Sequence, residues 1–190
     1  MFEVKIGYAF AKINLLKIHK SRKDLERRVI AAGSFATIYG ITIDGKDYAI
    51  KSQSIEPKDR ATLNQKIDAV LREYTLSKIA SVLRFGPKME KIFGYDILSF
   101  NDGIEFAMEM CQKNNPWSSK EEIENDLREG MKKMHSLKIV HRDVKNKNVC
   151  WSPSLEKWVF IDFGFAKFIE EPLGRKTRSK YIGTYNFVTN

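Results

Sequence analysis

The feature that most limits the fold is a change of hydrophobic period near residue 60. Before it, Glu26–Ile30, Ile38–Ile43 and Asp47–Lys51 read as three short strands. A Gly/Ala/Ser turn separates the first two, and Asp44-Gly45 is a hairpin signal between the second and third. From Ala61 to about Val82 the period is helical: Leu63, Ile67, Val70, Leu71 and Tyr74 recur along one face. Phe85-Gly86-Pro87 ends that segment. Two more strands, Ile92–Phe100 and Ile104–Met110, flank Asn101-Asp102-Gly103. One long helix set among strands of a mostly antiparallel sheet is an α+β order.

Beyond Asn114-Asn115-Pro116 the pattern turns helical again. Ser118 and Ser119 precede Glu121 and Glu122 by three residues, the signature of a capping box. Ile123, Leu127, Met131 and Met134 mark a helix to about Leu137. A polar loop comes next, then short strands at Val149–Trp151 and Trp158–Ile161, then a basic segment. Upstream, Phe2, Val4, Ile6, Tyr8 and Phe10 alternate like a strand. The expected organisation is an N-terminal flank of undefined role (1–25), a sheet-plus-helix unit (26–111) and a second unit (112–190).

Composition narrows the class. No stretch approaches the roughly 20 apolar residues of a membrane-spanning helix, and residues 1–5 carry no apolar signal core. An intracellular, cytoplasmic or nuclear, protein is expected. Cys111 and Cys150 form no CxxC pair and read as neutral, buried or half-buried thiols. The net charge of +9 is spread out, with clusters at Lys17–Arg28 and Arg175–Lys180, and no nucleic-acid motif accompanies it. A solvated basic surface is the expectation.

Three local patterns carry chemistry. Tyr48-Ala49-Ile50-Lys51 closes the third strand and is similar to the V-A-I-K motif of eukaryotic-type protein kinases. His141-Arg142-Asp143-Val144-Lys145-Asn146-Lys147-Asn148 resembles their catalytic loop, and Asp162-Phe163-Gly164 their DFG motif. The octapeptide is specific. The tripeptide gains weight from its place behind a hydrophobic strand, 19 residues after Asp143. The resemblance covers about Glu26 to Asn190.

That resemblance implies a two-lobed kinase fold, with a five-stranded antiparallel N-lobe sheet, an αC helix and an incomplete helical C-lobe. It implies an ATP- and Mg2+-dependent enzyme acting on Ser or Thr of protein substrates. Lys51 would pair the α- and β-phosphates, Asp143 accept the substrate proton, and Lys145 neutralise charge on the transferring group. Asn148 and Asp162 would hold the metal. Gly164 is expected to permit the turn that aims Asp162 inward. Glu73, on the long helix, is the expected partner of Lys51, with Glu56 as rival. Met108-Glu109-Met110-Cys111 would be the gatekeeper and hinge, with Glu109 and Cys111 offering backbone to adenine. Ala49 and Val149 would contact its ring, and Ile38 belongs to the same nucleotide set. Lys145 and Thr184 resemble the serine/threonine class. Thr177 and Ser179 are candidate phosphorylation sites that Arg142 could clamp.

Two departures stand out. Where the family has G-x-G-x-x-G, this chain has Ala31-Ala32-Gly33-Ser34-Phe35-Ala36. Gly33, Ser34 and Phe35 keep the tip, and weakened ATP binding is expected. Gly183–Asn190 resembles the family's G-T-x-x-Y-x-A-P-E segment, with Thr189 and Asn190 for its alanine and proline. The family's remaining helical lobe would come after it. Without that lobe, apolar surface under the Ile123–Leu137 helix is expected to favour association. A nucleotide-binding scaffold and an inactive fragment of a longer kinase are the alternatives.

Overall fold

The computed structural model describes residues 2–6, 9–13, 15–17, 26–55, 60–100 and 102–169. The expectations for Glu56, for Thr177 and Ser179, and for the segment around Thr184 fall outside them.

The N-terminal flank supplies three strands, β1 (Phe2–Ile6), β2 (Ala9–Ile13) and β3 (Leu15–Lys17). β1 and β2 form an antiparallel pair with Phe2 opposite Ile13. Next in the chain are β4 (Arg28–Ala32), β5 (Thr37–Ile43) and β6 (Lys46–Ser54). Asp44 and Gly45 turn β5 into β6 with φ of 50° and 75°. Positive φ at both positions gives the turn whose twist matches that of paired strands.

β7 (Met89–Glu90), β8 (Ile97–Ser99) and β9 (Gly103–Glu109) complete the sheet, in the order β3-β8-β9-β6-β5-β4 with β7 also on β9. The five expected strands are present as an antiparallel core. Two short strands extend it: β7, and β3, which joins parallel to β8. The expected strand from Ile92 is shortened to Ile97–Ser99. Phe93 and Gly94, with φ of 52° and 79°, form a turn closed by Ile92 and Tyr95, which takes those residues out of the ladder.

Alternation along β6 places Ile50 and Lys51 on opposite faces. Ile50 packs with Ile41, Leu98, Phe100 and Ala107. The other face receives α1 (Arg60–Val82), whose Val70 and Tyr74 bury against Ile97, Ile104 and Phe106. Farther along, Leu76 and Ala80 join a second cluster with Phe85, Met134, Phe160 and Phe163. α1 therefore spans both cores and ties the sheet to the second unit. Leu76 is 1% exposed, and complete burial of such a side chain stabilises by roughly 1.5–3 kcal/mol. The helix ends at Val82, Arg84 follows with φ 62°, and the chain folds back so closely at Gly86 that a Cβ there would come 2.6 Å from the Cβ of Ala80.

α2 (Lys120–Ser136) starts at a capping box between Ser119 and Glu122. Glu122 N–H donates to Ser119 Oγ at 3.2 Å, and Ser119 N–H donates to Glu122 Oε2 at 2.7 Å. Ser118, the other candidate cap, instead accepts from Trp158 Nε1 at 2.9 Å. β10 (Ile139–Val140) pairs with β13 (Lys167–Phe168), and β11 (Val149–Ser152) with β12 (Lys157–Phe160). The two-residue strands β10 and β13 are too short to show any alternation in sequence.

Candidate active site

Lys51 lies on β6 opposite Ile38 of β5 and Phe106 of β9. α1 brings Glu73 to the same face, and Lys51 Nζ donates directly to Glu73 Oε1. It also donates to Asp162 Oδ1 at 2.8 Å. Lys51 and Glu73 are 8% and 5% exposed, so neither charge has water to rely on. Burial pulls the Lys51 ammonium down, but Glu73 and Asp162 outweigh it and raise its pKa. Burial likewise pushes Asp162 up, and Lys51 outweighs that to hold its carboxyl below the usual range. For Glu73, burial prevails and pushes its carboxyl up.

One member of this network has no family motif to announce it. Gln53 Nε2 donates to Glu73 Oε2 at 2.7 Å. It stands two residues beyond Lys51, so the strand period alone puts both side chains on one face. Gln53 and Lys51 together occupy both oxygens of the buried carboxylate.

The catalytic-loop match is held from β10 onward. His141 is 2% exposed, and its ring lies 5.0 Å from that of Phe163. Nε2–H donates to Ile161 O at 3.1 Å, and Nδ1 accepts from the Asp143 N–H at 3.4 Å. Burial lowers the His141 pKa and favours this neutral tautomer. Arg142 takes φ 66° and donates from Nε to Phe165 O at 2.6 Å. Asp143 Oδ2 accepts from Lys145 Nζ at 2.7 Å and from Asn148 Nδ2 at 2.8 Å. Because the Asn148 nitrogen faces Asp143, its Oδ1 remains as an acceptor. Asn148 O accepts from Ile161 N–H at 2.9 Å, which sets Asn148 beside the residue preceding Asp162.

The turn at Asp162 differs from expectation. The left-handed residue is Asp162 itself, with φ 66° and ψ 73°. Gly164 keeps space open instead. A Cβ there would come 3.3 Å from both Asp162 Oδ1 and Glu73 Oε2. The glycine lets the backbone pass beside two carboxylates.

In the segment that replaces the glycine-rich loop, Gly33 N–H donates to Ala36 O at 2.9 Å. Gly33 does not use positive φ, and neither do Ala31, Ala32 and Ala36. The alanines therefore fit this loop without backbone strain. Ser34 is exposed. Phe35 is 79% exposed, and its ring edge meets Phe165 with 6.5 Å between centroids.

At the expected hinge, Glu109 turns its side chain into the scaffold. Its carboxylate accepts from Lys88 N–H at 2.7 Å, Ser152 Oγ–H at 2.6 Å and Ser154 N–H at 3.1 Å. Its own N–H donates to Lys88 O at 2.8 Å. The Cys111 thiol lies against Cys150, whose hydrogen bonding raises its pKa, as does burial. Both thiols are free, Cys111 half-buried and Cys150 buried. Ala49 and Val149 are 7% and 9% exposed, on β6 and β11.

The donors left at Asn148 and Asp162 are oxygens, the type a hard divalent cation takes. No cluster of three or more His, Cys, Asp or Glu suited to a metal occurs among the described residues. A two-residue oxygen set suits Mg2+, which keeps water and phosphate oxygens as its remaining ligands.

A sheet lysine paired with a helix glutamate, beside an Asp/Asn loop and a left-handed aspartate, is the arrangement of a phosphotransferase of the kinase type. The protein kinase domain model matches residues 26–190, and the chain belongs to this family. Over 174 residues it is 26% identical to a G-type lectin S-receptor-like serine/threonine-protein kinase of Arabidopsis thaliana, covering 86% of this chain and 20% of that protein. Over 172 residues it is 27% identical to a probable serine/threonine-protein kinase of Dictyostelium discoideum, covering 85% and 40%. Over 176 residues it is 28% identical to cysteine-rich receptor-like protein kinase 10 of Oryza sativa, covering 86% and 26%. The chain thus spans between 20% and 40% of the length of these relatives. No helix among the described residues is long and apolar enough to cross a membrane.

Proposed function

We propose that the chain binds ATP with Mg2+ and transfers the γ-phosphate to serine or threonine hydroxyls of proteins. The observation that carries this reading is the bonding of Asp143. Its buried carboxylate is held by Lys145 and Asn148 at 2.7 and 2.8 Å, a fixed acceptor for a substrate hydroxyl proton. Lys51 is kept protonated and oriented by Glu73, ready to meet phosphate oxygens. Lys145, 30% exposed at its side chain, can turn toward a transferring phosphoryl group. Asn148 and Asp162 would hold Mg2+, which neutralises charge on the β- and γ-phosphates when bound. Ile38, Ala49 and Val149 would flank adenine, with backbone groups of Glu109 and Cys111 at its edge. Gly33, Ser34 and Phe35 would cover the phosphates.

Residues 26–111 are taken as the N-lobe and 112–190 as belonging to the C-lobe. Met131 and Leu137, 37% and 39% exposed on and just after α2, offer apolar surface for association.

The test separates binding from transfer. ATP with Mg2+ is expected to raise the melting temperature of the chain, and Asp162→Ala to remove that effect. Phosphate incorporation into a generic protein acceptor is expected to vanish in Asp143→Ala while the ATP-induced stabilisation persists. Stabilisation by ATP with no transfer under any condition would replace this reading with a nucleotide-binding scaffold.

A further inference from the structure

All three tryptophans of the chain gather at one place outside the nucleotide site. Trp117 and Trp151 line an open groove of about 730 Å³ between the start of α2 and the β11–β12 hairpin. Trp158 lies behind it, edge-on to Trp151 with 6.2 Å between ring centroids. Trp117 is 90% exposed, the most exposed large apolar side chain among the described residues. An indole left in water at the lip of a groove is a typical binding anchor.

The remaining charge in the groove opposes that of the chain. Glu122, Asp126 and Glu156 line it, while the whole protein carries +9. Its one lysine, Lys157, is already paired with Glu129 at 2.7 Å. Glu122 and Asp126 each accept one backbone N–H through a single oxygen, from Ser119 and Trp158. Their other oxygens remain available. Glu156 has no hydrogen bond or ion pair among the described residues. Carboxylates around an indole face make a receptor for a cationic side chain, which gains from the ring quadrupole and from the charges together. They repel phosphate, so nucleic acid does not fit.

We propose that this groove docks a short basic segment of a partner protein, with a Lys or Arg stacked on Trp117 and its neighbours paired with Glu156, Glu122 and Asp126. The site is one residue removed from the expected hinge. Gln112, which also lines it, follows Cys111 directly and exchanges two backbone hydrogen bonds with Trp151, at 3.0 and 2.9 Å.

The test reads binding alone and does not depend on phosphoryl transfer. A short labelled peptide alternating arginine and alanine is titrated into the chain, following both peptide anisotropy and intrinsic tryptophan emission. Saturable binding that shifts the emission and weakens with added salt is expected. Trp117→Ala should weaken it by about tenfold or more, and Glu156→Gln by about threefold. Both sites are exposed, so unchanged melting temperatures check the fold. The same peptide with glutamate for arginine should not bind. Equal binding of the acidic peptide, or affinity unaffected by Trp117→Ala, would overturn the proposal. So would self-association that depends on Trp117 with no binding of the basic peptide, which would assign the groove to a second copy of the chain.

Discussion

Replacing Gln53 with leucine would strip one oxygen of a buried carboxylate of its donor. Glu73 is 6% exposed at its side chain, so water does not replace the amide. Its Oε1 keeps Lys51, and Oε2 loses the 2.7 Å bond from Gln53. A hydrogen bond to a charged group contributes about 1.5–3 kcal/mol. Leucine has nearly the volume of glutamine, so the packing change is small. The expected cost is about 2 kcal/mol of unfolding free energy, roughly a thirtyfold drop in the folded-to-unfolded ratio. Urea denaturation measures it, provided that the slope of the transition is unchanged. The attribution is tested by a double-mutant cycle with Glu73→Met, which keeps the chain length and removes the charge. In that background Gln53→Leu should cost less than about 0.5 kcal/mol, because no carboxylate remains to be orphaned. An equal cost in both backgrounds would refute the argument and make Gln53 an ordinary packing residue.

Gly164→Ala should destabilise the fold by about 1–3 kcal/mol and weaken ATP-induced stabilisation, since the new methyl crowds Asp162 and Glu73 together; full ATP-induced stabilisation in a melting assay would count against the close-approach reading. Ser119→Ala should cost about 1 kcal/mol in the same denaturation assay, because it removes the α2 cap. The Glu129 carboxyl should titrate at about 2, held down by hydrogen bonds from Lys133 and Lys157. Its folded pKa lies below the unfolded one, so its contribution is present above the ordinary carboxylate range and fades as pH falls toward 2. NMR titration should show that pKa rising toward the ordinary range in Lys133→Met combined with Lys157→Met.

Much of the architecture is legible in the order of residues alone. The helical period of Leu63, Ile67, Val70, Leu71 and Tyr74 marks α1, found at Arg60–Val82. Asp44-Gly45 locates the β5–β6 turn through its demand for positive φ, and the Ser-x-x-Glu spacing locates the start of α2 to within one serine. These signals are local: a few neighbouring residues set the backbone geometry. Short pairings such as β10 with β13 are not legible. A two-residue strand has no period, and it exists only because a segment 28 residues away lies beside it.

Candidate chemistry divides in the same way. Resemblance to the kinase motifs names Lys51, Asp143, Lys145, Asn148 and Asp162, because each motif is a run of neighbouring residues. It also gives Gly164 the wrong physical task. Only the packed chain reveals that Asp162 carries the left-handed conformation and that Gly164 is small to clear two carboxylates. Glu73 is the better of two candidates by sequence, and helix placement against β6 brings it to Lys51. Gln53 and the groove around Trp117 have no motif at all. The change of period near residue 60 determined, by itself, that a helix would interrupt an antiparallel sheet. Which side chains that helix brought within hydrogen-bonding distance was decided by the tertiary structure, because such contacts depend on the relative placement of elements far apart in the chain.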